Sequence, residues 1–170
     1  MFDGDVSPEV ARSVRAAGVV AVDTETSGLD WRADQLQLSQ LFTPQTGPVF
    51  IRNVTGHPSA LAEVLGDPGV LKVFHFAPFD LRFLEAGWDV RVSAAACTKA
   101  ASKILQPTLP AHEHSVQPLL RRTIGVEMSK GSVRTSDWGA GDLSAPGQAC
   151  GDGCRVRGRH GGSWFVPAYE

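Results

Sequence analysis

Residues Val19 to Leu29 read Val-Val-Ala-Val-Asp-Thr-Glu-Thr-Ser-Gly-Leu, and this stretch decides the fold. A short apolar run rich in valine and closed by a Ser-Gly turn signal predicts a buried strand. Because side chains alternate between the two faces of a strand, Asp23 and Glu25 share one face at its C-terminal end. Two acids on one face repel each other and are costly to bury, so the pair favours a divalent cation between them. The alternative is a solvated strand end with two ordinary acids.

The composition is that of one soluble globular domain. The chain has 170 residues, of which 42% are hydrophobic and 20% are charged. Its formal net charge of −2 argues against a broad basic coat for nucleic acid, but leaves a local basic cleft open. No apolar run approaches the ~20 residues that a membrane span requires, and we expect a cytoplasmic protein. The three cysteines, Cys97, Cys150 and Cys154, form no even disulfide framework, which fits a reducing compartment.

Apolar periodicity and turn signals predict strands first and then strands that alternate with helices. Helices are expected over residues 8–16, 58–65, 78–84, 98–105 and 115–124, and strands over 19–25, 36–42, 48–51, 70–76 and 93–98. Ser7 and Ser115 are the expected N-caps of the first and last helix, and residues 107–114 and 130–143 are expected to be irregular. This order predicts an α/β domain whose mixed sheet combines an antiparallel meander with parallel strands and is flanked by helices.

Asp80 lies at the start of a predicted helix. Pro78 suits the first helical position, and Asp80 follows it in the first turn. A helix N-terminus favours an acid because of the helix dipole. From this local pattern alone, a purely structural role and a functional role for Asp80 are equally open.

Five motifs, in order along the chain, resemble those of the ribonuclease D family. They are Asp23-Thr-Glu25, His75-Phe-Ala-Pro-Phe-Asp80, Cys97-Thr-Lys-Ala-Ala-Ser102, Lys130 with Ser136-Asp-Trp138, and Asp142-Leu-Ser144. That family belongs to the DEDD 3′-5′ exonucleases, which are named for four acidic residues and have a ribonuclease H-like fold. The resemblance covers residues 19–144, and the Ser-Asp-Trp segment favours ribonuclease D over proofreading-type relatives.

The resemblance implies a metal-dependent 3′-5′ exonuclease that hydrolyses phosphodiester bonds at the 3′ end of RNA. Asp23, Glu25 and Asp80 would be three of the four carboxylates that hold two divalent ions, Mg²⁺ or Mn²⁺, ~3.5–4 Å apart. The implied partner is the 3′ end of a single-stranded RNA, with DNA left open as a substrate. Nothing in the sequence indicates the oligomeric state.

Four further residues lie where relatives contact the substrate. They are Thr26, Leu29, His75 and Phe79. The resemblance implies that Leu29 and Phe79 wedge or stack against terminal bases, and that Thr26 and His75 contact the substrate. Each has a structural alternative: Leu29 and Phe79 as core residues, Thr26 as a turn hydroxyl, and His75 as a hydrogen-bonded histidine at a strand end.

The family pattern breaks after Ser144, which divides the chain into an exonuclease domain at 1–144, incomplete at its C-terminal end, and an irregular tail at 145–170 that is expected to be disordered. The family's fourth acid should follow in a helix, four residues after a Tyr or His. The tail instead has no Leu or Ile and has six glycines among 26 residues, so no amphipathic helix can be drawn through it.

The genetic code suggests a reason for this break. If each new codon takes the last two bases of one codon and the first base of the next, starting across Ala149 and Cys150, the permitted sequences include His-Ala-Ala-Thr-Asp-Val. The family carries that type of sequence at its last motif. We therefore hypothesise that the tail is a frameshift product. On this hypothesis, the alternative function is a catalytically defective exonuclease that retains at most nucleic-acid binding.

Three other interpretations of the tail are open at this stage. Cys150, Cys154 and His160 are candidate zinc ligands, although their spacing fits no standard finger and a fourth ligand is missing. The arginines between residues 155 and 159 would contact phosphates or form a solvated end. Asp152 would replace the fourth acid, although its flanking glycines would hold it poorly.

Overall fold

The computed structural model describes residues 1–127, 156–157 and 163–164, and the chain divides into two compact units, residues 1–98 and 99–170. The first unit contains a six-stranded sheet and three helices that lie wholly within it. Its strands are β1 (Phe2–Asp3), β2 (Val19–Thr26), β3 (Leu36–Thr43), β4 (Gly47–Arg52), β5 (Leu71–Phe74) and β6 (Ala95–Cys97). Its helices are α1 (Pro8–Ala17), α2 (Ser59–Gly66) and α3 (Ala77–Trp88).

The six strands lie in the order β1-β4-β3-β2-β5-β6. β2, β3 and β4 form an antiparallel meander, whereas β5 and β6 extend the sheet beyond β2 as parallel strands. β1 pairs in parallel with β4 at the opposite edge. The predicted α/β architecture with a mixed sheet is therefore confirmed, and β2 has a strand on each side.

The valines of β2 explain its central place in the sheet. Val20 and Val22 are buried, and they belong to one cluster with apolar residues of all three helices. The other members of this cluster include Val14, Leu61, Val64, Leu65, Phe74, Phe83, Leu84 and Trp88. Full burial of such side chains stabilises a fold by ~1.5–3 kcal/mol each. This core packs the helices on the sheet and so fixes the end of β2 relative to α3.

The N-termini of α1 and α2 are capped in different ways. Ser7 accepts a hydrogen bond from the backbone N–H of Val10, which confirms it as the predicted cap of α1. α2 has no capping bond from its own N-cap residue. The carboxylate of Asp5 instead accepts bonds from the backbone N–H groups of Ala60 and Leu61, at 2.8 and 2.9 Å. A residue distant in the chain therefore supplies the cap.

Lys72, on β5, is the largest fully buried side chain of the part of the chain that the structure describes. Its ammonium group donates a hydrogen bond to the carbonyl of Asp67 at 2.6 Å. Burial lowers the pKa of Lys72, and the negative charge of Asp67 opposes this shift. The bond ties β5 to the residue that directly follows α2.

Three helical elements follow β6: α4 (Thr98–Leu105), a 3₁₀ helix (Ala111–His114) and α5 (Val116–Ile124). Buried Ser102 lies 2.8 Å from Nδ1 of buried His114. Arg122 donates to the hydroxyl of Ser102 at 3.3 Å and to the carboxylate of Glu113 at 3.1 Å. These bonds join the three elements. None of the helices in the described ranges is long and apolar enough to cross a membrane.

Several element predictions differ from the structure in detail. The loop predicted over 107–114 ends in the 3₁₀ helix. Ser115 does occupy the N-cap position of α5, but its hydroxyl donates to the carbonyl of His112 at 2.7 Å rather than capping the helix. β5 ends at Phe74, two residues early, because Phe76 has a left-handed backbone with φ of 67° that a strand cannot continue.

The tail is described at two short stretches, β7 (Val156–Arg157) and β8 (Ser163–Trp164), which pair in antiparallel fashion. The irregular segment predicted over 130–143 and the domain boundary predicted after Ser144 lie outside the described residues. The same holds for the candidate residues Cys150, Asp152, Cys154 and His160.

Candidate active site

Asp23 and Glu25 lie near the C-terminal end of β2. In the pairing of β2 with β3, Asp23 lies opposite Gln40 and Glu25 lies opposite Leu38. The two acids are two residues apart on a strand, so their side chains share one face. Asp23 is buried, with 5% of its surface exposed, and Glu25 is half-buried. The register shifts directly after Glu25, so regular pairing ends at the acid pair.

Gln40 connects the two acids from the neighbouring strand. Its Nε2 donates to Oδ2 of Asp23 at 3.4 Å and to Oε1 of Glu25 at 3.2 Å. Gln40 was not among the residues predicted from the sequence, because apolar alternation predicts that β3 exists but not which of its residues lies opposite Asp23. The signal that would have found it is the antiparallel register of the two strands.

Asp80 approaches the end of β2 from helix α3. Only His75 and Phe76 separate β5 from α3, and the left-handed backbone of Phe76 turns the chain sharply. This connection sets the first turn of α3 beside β2, where Oδ1 of Asp80 accepts a hydrogen bond from the hydroxyl of Thr24 at 2.8 Å. Asp80 is only 1% exposed. Its place in the first turn suits the helix dipole, and its bond to Thr24 sets it near the acid pair.

The protein environment opposes ionisation of Glu25 and Asp80. Loss of solvation, and after it the charge of Asp80, raise the pKa of Glu25 to about 7. Burial also raises the pKa of Asp80 to about 7, although hydrogen bonds from Thr24 and from backbone N–H groups act in the opposite direction. Two buried acids with raised pKa values form an arrangement that a bound cation would stabilise.

The donors at this site are carboxylate oxygens, which Mg²⁺ and Mn²⁺ prefer as ligands. Within residues 1–127 and the two short stretches of the tail, no three Asp, Glu, His or Cys side chains lie close enough to hold a metal ion together. The carboxylate oxygens of Asp23, Glu25 and Asp80 therefore suit a divalent cation. The raised pKa values of Glu25 and Asp80 also indicate that a cation would stabilise their ionised forms. The three carboxylates would have to move closer together to bind the same metal ion.

The loop after β2 carries two of the predicted substrate residues. Thr26 donates its hydroxyl proton to the carbonyl of Gly28 at 2.6 Å, which agrees with a turn hydroxyl. Leu29 is 83% exposed and is not a core residue. The carboxylate of Asp34 accepts a bond from the N–H of Asp30 at 2.8 Å, and a methyl group at Gly28 would clash with that carboxylate. The loop therefore holds Leu29 outside the core.

Phe79 and His75 have defined partners in the first unit. Phe79 packs partly buried against the core, and its ring centroid lies 4.8 Å from that of Phe83. Nδ1 of His75 lies 2.8 Å from the hydroxyl of Thr98, which donates its own proton to the carbonyl of Phe74 at 3.2 Å. Both arrangements agree with the structural alternatives, and the substrate roles of both residues stay predictions.

A family model described as a 3′-5′ exonuclease matches residues 3–147 of the chain. The match includes all three acids of the site and extends into the start of the tail. No curated protein sequence matches the chain.

Several solved nuclease structures resemble the chain. A nuclease in its apo form is 32% identical, with 86% of this chain and 69% of that chain covered and a TM-score of 0.76. NrnC from Brucella melitensis with bound Mg²⁺ is 26% identical, with 89% and 72% covered and a TM-score of 0.74. RNase D from Escherichia coli is 23% identical, with 89% and 41% covered and a TM-score of 0.71, and it supports the fold alone. The expected ribonuclease H-like fold is confirmed.

Proposed function

Because the chain belongs to the 3′-5′ exonuclease family, we propose that it removes nucleotides one at a time from the 3′ end of single-stranded RNA with the help of two divalent metal ions. The resemblance to ribonuclease D is confirmed at the level of this family and its fold. The RNA substrate, the metal ions and the roles of individual residues are the proposal.

One observation carries the proposal: carboxylates from two distant segments lie at the same end of β2. Asp23 and Glu25 share a face of the strand, and Asp80 is bonded to the residue between them. Buried acids are costly for a fold unless they are paired or bind a cation. Loss of solvation raises the pKa of Glu25, and the charge of Asp80 raises it further. The Mg²⁺ in the NrnC structure further supports a divalent ion.

The residues of the chain would bind and orient the reactants. Asp23, Glu25 and Asp80 would hold the metal ions, which supply an activated water and stabilise the attacking and leaving oxygens at the phosphodiester. Leu29, exposed on its loop, would contact a terminal base. Phe79 would contribute the exposed part of its ring, since the rest is packed against the core.

A second candidate function is a defective exonuclease that retains at most nucleic-acid binding. It is favoured by the absence, among the described residues, of three side chains close enough to hold a metal. The fourth acid of the family pattern would come from the region after Ser144, whose sequence departs from that pattern. Sequencing the gene tests the frameshift behind this candidate: an intact downstream frame that encodes the missing helix supports it, and its absence overturns it.

One assay tests the proposal. The purified protein is incubated with the same single-stranded RNA labelled at its 5′ or its 3′ end, with Mn²⁺ or with EDTA, beside the Asp23→Ala variant. We expect a ladder of shortened 5′-labelled products and early release of the 3′ label, both dependent on Mn²⁺ and lost in the variant. A single-stranded DNA of the same sequence tests whether the enzyme prefers RNA to DNA. The compound pGG, which is bound in one NrnC structure, tests whether very short substrates are accepted.

The assay also separates the two candidate functions. A protein that melts cooperatively but leaves both labelled RNAs intact with Mn²⁺ would overturn the exonuclease proposal and favour the defective form. Shortening from the 5′ end, or equal activity in EDTA, would overturn the proposed direction or the metal requirement.

A further inference from the structure

We infer that Gln40 is a positioning residue that holds the carboxylates of Asp23 and Glu25 in the orientation in which they receive a divalent cation. This inference rests on the proposed function, because it assigns Gln40 a role toward the metal ions proposed above. It concerns a residue that would not contact the substrate or the reacting atoms and would act through two acids that do the binding.

The sheet places Gln40 where it can serve both acids. Gln40 on β3 is the direct antiparallel partner of Asp23 on β2. Directly opposed residues project from the same face of a sheet, and Glu25 lies on that face two residues further along. The Nε2 atom of Gln40 carries two N–H groups, one for the 3.4 Å bond to Asp23 and one for the 3.2 Å bond to Glu25. One side-chain atom therefore sets the relative orientation of both carboxylates.

The hydrogen bonds from Gln40 act where the regular pairing of β2 with β3 ends. The β2–β3 register is regular up to Glu25 and shifts between Glu25 and Thr26. Directly after this shift Thr26 pairs with Leu36, so Glu25 is the last residue of the regular ladder. Glu25 has three side-chain torsions and Asp23 has two, so fixing Glu25 costs more side-chain entropy. Its bond to Gln40 restricts these torsions in the metal-free protein. The side chain of Glu25 therefore loses less conformational entropy when a cation binds.

The chemistry of an amide suits this task better than that of a charged donor. An amide donates to two carboxylates and reduces their mutual repulsion, but it adds no positive charge. A lysine or arginine at this position would neutralise the acids and compete with a cation. Gln40 bonds to one oxygen of each carboxylate, and an ionised carboxylate can accept at both of its oxygens. Gln40 can therefore orient the acids while they bind a metal.

The test compares Gln40→Met with Gln37→Met. Methionine keeps the length of the side chain and removes both N–H donors. Gln37 is a matched control because it is a half-buried glutamine on the same strand, whereas the amide bonds to Asp23 and Glu25 come from Gln40. The readout is the dissociation constant of Mn²⁺ from the otherwise unmodified full chain, measured by electron paramagnetic resonance. Thermal melting of the metal-free proteins shows that each variant is folded.

We expect Gln40→Met to bind Mn²⁺ ~10–100-fold more weakly than the wild type, the usual effect of losing a group that orients a metal ligand. Gln37→Met should bind within about twofold of the wild type. Metal-free Gln40→Met should melt within ~2–4 °C of the wild type, because only one side chain's hydrogen bonds are lost. If Gln40→Met does not fold, Gln40→Asn decides, since its shorter amide cannot span both acids and should also weaken binding.

The outcomes separate this inference from the proposed function. Wild-type protein that binds Mn²⁺, together with a folded Gln40 variant of equal affinity, would overturn the role of Gln40 and leave the exonuclease proposal standing. An equal loss of affinity in Gln37→Met would overturn it as well, because the effect would then belong to the strand rather than to the amide. Wild-type protein that binds no Mn²⁺ would overturn both.

Discussion

Thr24 donates its hydroxyl proton to Oδ1 of Asp80 at 2.8 Å, although 56 positions separate the two residues in the chain. Both side chains are buried, with 0% and 1% of their surfaces exposed. Thr24 lies on β2 between the two acids of the site, and Asp80 lies in the first turn of α3. This bond therefore attaches the first turn of α3 to the end of β2 that carries Asp23 and Glu25.

Replacing Thr24 by valine should destabilise the protein by ~1–3 kcal/mol, because buried Asp80 loses a hydrogen-bond donor. The same change should raise the pKa of Asp80 further, since the bond from Thr24 lowers it. Urea denaturation measures the free energy of unfolding. Thr123→Val is the control: its hydroxyl donates to the carbonyl of Leu119 on the exposed surface of α5, so its loss should cost less. Equal costs in the two variants would contradict the importance of the Thr24–Asp80 bond.

The metal-free protein should lose stability as the pH rises. The pKa of Glu25 is raised from 4.5 to about 7, and that of Asp80 from 3.8 to about 7. The folded state therefore binds more protons than the unfolded state between these values, and its free energy of unfolding falls across that range. We expect a fall on the order of 1–3 kcal/mol that levels off above the folded-state pKa values. Urea denaturation in the presence of EDTA at several pH values measures this fall in the free energy of unfolding.

The same titration has an internal control. In Glu25→Gln, one of the two titrating acids is gone, so the fall in stability should be smaller. If Mn²⁺ binds at this site, adding it at high pH should restore stability, because the ionised carboxylates then have a cation. Stability that stays level or rises over this pH range in the metal-free wild type would contradict the raised pKa values.

Removing the carboxylate of Asp5 should uncap α2. Asp5→Ala leaves the backbone N–H groups of Ala60 and Leu61 without their acceptor and should cost ~1–2 kcal/mol of stability. Glu63→Ala serves as the control, because it breaks an ion pair with Arg15 whose glutamate side chain is 69% exposed. That exposed pair is expected to contribute ~0–1 kcal/mol. A larger loss in the control than in Asp5→Ala would show that the cap is unimportant.

Leu29→Ala should separate stability from substrate binding. Leu29 is 83% exposed, so its truncation should change the free energy of unfolding by less than ~0.5 kcal/mol. If Leu29 contacts a terminal base, the KM for RNA should rise severalfold in the same variant. Ile104→Ala is the control, since Ile104 is 79% exposed in the second unit and should change neither quantity. An unchanged KM in Leu29→Ala would overturn the proposed contact.

Patterns confined to one element were predicted well from the sequence. The apolar run of β2 and its closing turn signal led to the correct strand, and Ser7 led to the correct cap of α1. Asp80 was found through its place after Pro78 and through the family motif. These features depend on neighbours in sequence, where side-chain alternation and helix geometry act directly.

Relationships between distant segments could not be predicted in this way. The bond from Gln40 to the acid pair depends on the register of β3 against β2, and the cap from Asp5 depends on where the chain returns to α2. Leu29 illustrates the same limit: an apolar residue after a turn fits the core or the surface equally well, and only the loop held by Asp34 decides between them. Tertiary contacts determine such outcomes, and local propensity does not encode them.

The length of the two-residue connection from β5 to α3 fixes the rotation of α3 about its axis. An α-helix turns ~100° per residue, so one residue added or removed at His75–Phe76 would rotate the helix by that angle and carry Asp80 away from Thr24. The same rotation would turn Phe83 and Leu84 out of the core. The orientation of Asp80 and the packing of α3 therefore depend on the same connection, and a change in its length would disturb both.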